Sequence, residues 1–169
     1  MALIIEDGSI VAGADSYASL AVLRAYALKR GVTLSAVDAD LEVLAIKAMD
    51  YLGSFEQRYQ SERTDATTQT LSFPRKDIVI NDALLGDNDM PQNIIDAQCE
   101  VVMYLHDSFK MFATPDEGGT APLKRKKIDV LEFEYDTARG STGRAVFPRV
   151  DAKLTPLLRT GGPLTSVRV

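Results

Sequence analysis

Apolar residues recur at helical spacing over much of the chain, and the longest such stretch runs from Pro91 to Ala113. One stripe follows Ile94, Ala97, Val101, Tyr104, Leu105, Met111 and Phe112; a second follows Ile95, Cys99, Val102 and Phe109. Two stripes require burial on two sides, so the segment reads as a central helix lying between other elements. Pro91 suits the first helical position, where its missing N–H loses no partner. Thr114-Pro115 marks the expected stop, because the residue before a proline is pushed out of the α region.

Two shorter helices precede it. Asp15 or Ser16 is placed to cap a helix to about Arg30, with Leu20, Leu23 and Ala27 on one face and Gly31 as the stop. Ser35, with Asp38 three residues on, opens a second helix to about Leu52, where Val37, Leu41, Leu44, Ala45, Ala48 and Leu52 keep the 3.6 period. Ser54-x-x-Gln57 is a further capping box and predicts a short helix from Phe55 to Gln60. Leu3–Ile5, Ile10–Val11 and Ile78–Ile80 read as short extended pieces, and Asn81 to Asp89 as a polar loop. Residues 61–76 are polar and threonine-rich but close on Leu71, Phe73 and Pro74, an apolar end expected to tuck against the core.

Beyond the central helix the pattern changes. Pro115 to Pro122 is a linker holding Glu117-Gly118-Gly119, followed by the basic run Lys124-Arg125-Lys126-Lys127. From Leu131 the residues alternate, with Leu131, Phe133 and Tyr135 on one face and Glu132 and Glu134 on the other, so Ile128 to Tyr135 reads as a half-buried strand. Arg139 to Arg144 suggests a hairpin tip and Ala145–Phe147 the returning strand. Val150 to Leu158 has the spacing of a short helix, and Arg159 to Val169 that of a tail needing a partner. The expected fold is mainly α: a small helical bundle around one long central helix, with a short β-hairpin or extended arm and a C-terminal tail. The expected division is a helical core over 1–114, a linker and β-arm over 115–148, and a short helix and tail over 149–169.

Composition narrows the class. A chain of 169 residues, 46% hydrophobic, fits one globular domain rather than wholesale disorder. The net charge of -5 argues against broad electrostatic binding to nucleic acid and leaves room for a local basic patch. Cys99 is the only cysteine, so no internal disulfide forms and a reducing compartment is expected. The N-terminus lacks the basic start and apolar run of a signal peptide, and no stretch approaches the roughly 20 apolar residues of a membrane span. A soluble protein made in the cytoplasm is expected, with no membrane partner.

Candidate chemistry is sparse. His106 is the only histidine and falls on the second stripe of the central helix, two turns after Cys99. That pair is too thin for a metal site, which takes three or four ligands. Asp87-Asn88-Asp89 and Asp38-x-Asp40 lack the glycine and distant glutamate of a calcium loop. Arg139 to Arg144 lacks a P-loop lysine and a following helix. No enzyme, cofactor or metal is expected. The strongest charge feature is Lys124, Arg125, Lys126 and Lys127, which would meet DNA phosphates, meet an acidic surface of another subunit, or stay solvated. Glu132 and Glu134 offer a complementary acidic strip, and a basic run plus an acidic strip can join identical subunits head to tail into a ring.

The order of signals adds a resemblance. Ala14-Asp15-Ser16-Tyr17 and Ala48-Met49-Asp50-Tyr51-Leu52 are followed by Gln69-Thr70-Leu71-Ser72-Phe73-Pro74-Arg75, and Lys126-Lys127-Ile128 leads into Leu131-Glu132-Phe133-Glu134-Tyr135. Leu154-Thr155-Pro156-Leu157-Leu158 closes the series. Over about residues 5–158 this resembles a tailed-phage family labelled DnaT-like single-stranded-DNA-binding protein, itself similar to head–tail connector, or adaptor, proteins of the phage neck. The resemblance implies a virion protein: a homo-oligomeric, dodecameric ring beneath the portal protein, in contact with the next neck or tail component, with genomic DNA in its lumen and no catalytic residues. On that reading Arg159, Leu164, Val167, Arg168 and Val169 form the contact tail toward portal or neck. The alternative is a single-stranded-DNA-binding or replication accessory protein, which would combine a basic groove with aromatic stacking platforms.

Overall fold

Ser19, not Asp15 or Ser16, caps the first helix. Its hydroxyl accepts the Val22 N–H at 3.3 Å. Asp15 instead accepts the Ile4 N–H at 2.8 Å, and Ser16 pairs with Ile5 in a parallel bridge. The structure, a computed structural model, describes residues 2–111, the backbone of 125–128 and 131–134, and residues 147–159. In chain order its elements are α1 (Leu20–Leu28), α2 (Asp38–Gly53), a 3-10 turn (Glu56–Arg58), β1 (Val79–Ile80), β2 (Ala83–Leu84), α3 (Gln92–His106), β3 (Arg125–Ile128), β4 (Leu131–Glu134) and α4 (Pro148–Leu154), which runs into a second 3-10 turn (Thr155–Leu157).

The fold is mainly α, a small bundle around α3. That helix packs against α1, α2 and α4, the burial on more than one side that its two stripes require. Ile94, Ala97, Cys99, Val101 and Val102 are buried along it. They meet Leu23 and Ala27 of α1, Leu41, Ala45, Ala48 and Leu52 of α2, and Val150, Leu154 and Leu157 from the C-terminal side in one continuous core.

α3 ends well before Pro115. Ser108 turns left-handed at φ 66, the Ser108 N–H reaches the Leu105 carbonyl at 3.0 Å, and the Phe109 N–H reaches the Tyr104 carbonyl at 3.0 Å. This is a Schellman closure, completed by the Tyr104–Phe109 ring contact at 5.7 Å. α1 closes the same way at Gly31, φ 75, with the Val32 N–H on the Ala27 carbonyl at 3.1 Å. The Ser35 capping box gives way because its members have other partners. The Ser35 hydroxyl accepts the Val37 N–H at 3.1 Å, and Asp38 is paired with Arg24 at 2.7 Å, so α2 starts at Asp38. Ser54 likewise does not cap; its hydroxyl donates back to the Tyr51 carbonyl at 2.6 Å.

Side chains, not strands, shape the remaining loops. The buried Glu6 carboxylate accepts the N–H groups of Gly8, Ile10 and Val11 at 2.8, 3.0 and 2.9 Å, which curls 6–11 and puts Ile10 at φ 61 instead of in an extended run. A Cβ at Gly8 would collide with the Asn88 carbonyl, so the loop admits only glycine there. The polar stretch after Ile80 holds a strand that its composition hides. Asn81 and Asp82 take φ 51 and 63, the two left-handed residues of a type I′ turn, and join β1 to β2. Phe73 does tuck into the core, edge-on to Tyr59 at 5.0 Å.

The described hairpin of the arm pairs β4 with a segment the alternation does not mark. The partner of β4 is the basic run itself, β3, in an antiparallel register that sets Arg125 opposite Glu134, Lys126 opposite Phe133, Lys127 opposite Glu132 and Ile128 opposite Leu131. Two residues, Asp129 and Val130, separate the strands. The expected tip at 139–144 and most of the expected return strand at 145–147 lie outside the described residues, and Phe147 precedes α4 as its N-cap.

Candidate nucleic-acid interface

The register changes what the basic run can do. Opposed positions on antiparallel strands share a face, and opposite charges placed so attract by a few tenths of a kcal/mol to about 1 kcal/mol. Arg125 and Lys127 therefore share a face with Glu134 and Glu132 within one hairpin. Sequence reading set these groups against each other across a subunit boundary; the missed signal is Asp129, a residue type common in turns, standing in the sequence between the run and the strip. Lys124 lies outside the described residues.

Elsewhere several of the described cations are engaged with the fold. Arg24 pairs with Asp38 at 2.7 Å and Lys153 with Asp96 at 2.8 Å. Arg63 and Arg75 share the Glu56 carboxylate at 3.1 and 2.8 Å. Arg75 is buried and also donates to the carbonyls of Gln60, Ser61 and Ser72. Burial alone would raise the Glu56 carboxyl, but hydrogen bonds from Arg63, Ser72 and Arg75 outweigh it and hold it below its usual range. Buried Glu100 accepts the Tyr26 hydroxyl at 2.9 Å and the Arg30 Nε at 3.2 Å. Burial first, and the Glu100 carboxylate second, push the Tyr26 hydroxyl above its usual range. Arg159 is no free tail residue: its Nε donates to the Tyr59 carbonyl at 2.9 Å and its N–H to the Arg58 carbonyl at 2.8 Å. Leu164, Val167, Arg168 and Val169 lie outside the described residues.

Among the described residues one aromatic, Phe109, is exposed. Phe109 is 53% exposed, just past α3. It borders a cleft of about 560 Å³ lined by Leu44, Lys47, Asp50, Leu105, Ser108, Lys110 and Met111. Phe147 packs against it with ring centroids 6.3 Å apart and against Tyr104 at 4.6 Å. Both ends of the segment that carries β3 and β4 thus meet the core beside this cleft. The apolar pattern read Phe109 as a buried stripe position because it took the helix to run on to residue 113.

The two candidates for chemistry, Cys99 and His106, both lie on α3. Burial pushes the Cys99 thiol up to about 12, far from a reactive thiolate. His106 is half-buried at the end of α3. Among the described residues no group of three or more His, Cys, Asp or Glu could hold a metal, and no described helix is long and apolar enough to cross a membrane.

A family model described as "Putative DnaT-like ssDNA binding protein" matches residues 1–169. The chain belongs to that family. No curated protein and no solved structure matches it. The family points to DNA binding and overturns the connector reading, and with it the ring beneath the portal, the portal and neck partners, and DNA held in a lumen. The motifs that suggested a connector have work inside the fold. Gln69 donates to the carbonyls of Leu71 and Pro74, Arg75 ties four groups together, and Leu154 and Leu157 are buried. They specify a core rather than a surface for the portal.

Proposed function

We propose that this protein binds single-stranded DNA, as an accessory to replication and without catalysis of its own. The observation that carries the reading is the match, along all of 1–169, to a family described as binding single-stranded DNA. Three residues of its basic run, Arg125, Lys126 and Lys127, stand on a strand, β3, which is compatible with a backbone-tracking surface. Phe109 shares its cleft with Lys47, Lys110 and Asp50, which puts a ring and two cations against one acid beside the end of α3.

A net charge of -5 means that binding must rest on a few local cations and be strongly salt-dependent. Each neutralised phosphate of a single strand contributes about −0.7 to the slope of log K against log salt. With Lys124, Arg125, Lys126 and Lys127 all replaced by Ala, fluorescence anisotropy on a labelled oligothymidylate should show affinity reduced at least about tenfold and a flatter salt slope. Equal affinity in the wild type and the quadruple variant would remove the basic run from the reading.

A further inference from the structure

The hairpin has two chemically different faces, and only one of them suits a nucleic-acid strand. Alternation along β3 and β4, fixed by the register, puts Arg125, Lys127, Glu132 and Glu134 at positions of one face. That face carries two cations and two anions in opposed pairs and is neutral in sum. The other face carries Lys126 opposite Phe133 and Ile128 opposite Leu131. It has one cation, no acid and an aromatic directly across from the cation.

Resting on the single-stranded-DNA reading above, we propose that the strand lies on the Lys126–Phe133 face. Single-stranded nucleic acid is bound by combining cations that track phosphates with rings on which bases stack. The neutral face offers phosphates no net attraction, since each cation there already has an acid across the ladder. The Lys126–Phe133 face has both residue types at opposed register positions, with the apolar pair Ile128 and Leu131 at the next pair of the same face. The basic run is thus not four equivalent contacts. Its reading as one block hides that Lys126 alone, of the three cations on β3, is without an opposed acid in the register.

Four variants of the full-length chain separate the faces: Lys126→Ala, Phe133→Leu, and the charge-balanced pairs Arg125→Ala with Glu134→Ala and Lys127→Ala with Glu132→Ala. Anisotropy titrations on oligothymidylate across a salt series read each. Lys126→Ala should weaken binding several-fold and flatten the salt slope by about 0.7. Phe133→Leu keeps an apolar side chain but no ring, and should weaken binding about tenfold with the slope unchanged. Both charge-balanced pairs should bind within about twofold of the wild type. Circular dichroism confirms that all four keep the helical core. If the wild type binds and the charge-balanced pairs lose affinity while Lys126→Ala and Phe133→Leu do not, the strand lies on the other face. If all four bind like the wild type, the apolar face is covered by protein and the assignment fails while the DNA-binding reading stands. If the wild type itself does not bind at low salt, both fall together.

Discussion

Gln98 is a polar residue at the centre of an apolar helix, fully buried, and it stitches three elements together. Its carbonyl oxygen accepts the Tyr17 N–H at 3.0 Å, and its amide donates to the Ser16 hydroxyl at 2.8 Å and the Ala45 carbonyl at 3.4 Å. Gln98→Leu preserves volume but strands these groups without water. It should cost about 2–3 kcal/mol, read as a lower urea midpoint with an unchanged slope. Cys99 beside it should resist thiol reagents at pH 8 in the native state and react at once in denaturant, because burial keeps its thiol up at about 12. Glu56 supplies the pH dependence. Its folded carboxyl titrates below the ordinary 4.5, so the unfolded chain binds the proton more readily. The stabilisation is therefore whole above about pH 4.5 and is lost as pH falls through the lower folded value. Thermal melts from pH 7 to pH 3 should show this loss, and Glu56→Gln should flatten it while lowering the melting temperature at pH 7. The burial of Cys99 was legible from its place on the second apolar stripe, but the other two roles were not. A glutamine between two stripes and a glutamate near a turn become informative only when distant chain segments meet them.

Helices were more legible than their ends. The 3.6 period marks burial, and burial is what the sequence must encode to pack α1, α2 and α3 together. Their ends depend instead on which side chain is free to cap, and Ser16, Ser35 and Ser54 are each engaged elsewhere. The end of α3 shows this most clearly. Ser108 holds φ 66, a conformation that costs a non-glycine residue about 1 kcal/mol. Ser108→Gly should relieve it and raise the melting temperature by about 2–4 °C in a calorimetric scan. The second strand of the β1–β2 hairpin, β2, escaped notice because Asn81-Asp82 is a turn signal at the head of a stretch that reads as a polar loop. Alternation found β4 but not its partner, since three consecutive basic residues carry no apolar period.

For the whole molecule, two kinds of information separate cleanly. The pattern of apolar positions reaches the mainly α fold and its central helix, because one core organises both. The functional reading depends on where a handful of charges sit, and the order of motifs led past the family to a neck connector that the family match does not support. Those motifs, around Arg75 and Leu157, hold the core together and say little about partners. What supports the proposed DNA binding at a net charge of -5 is local: a basic strand, a register and an exposed ring. The most direct measurement is the affinity of the full-length chain for a labelled oligothymidylate of about 16 nucleotides, beside a duplex of equal length, over a salt series. Preferential binding to the single strand that weakens steeply as salt rises is the predicted result. No binding at low salt, or tighter binding to the duplex, would contradict it.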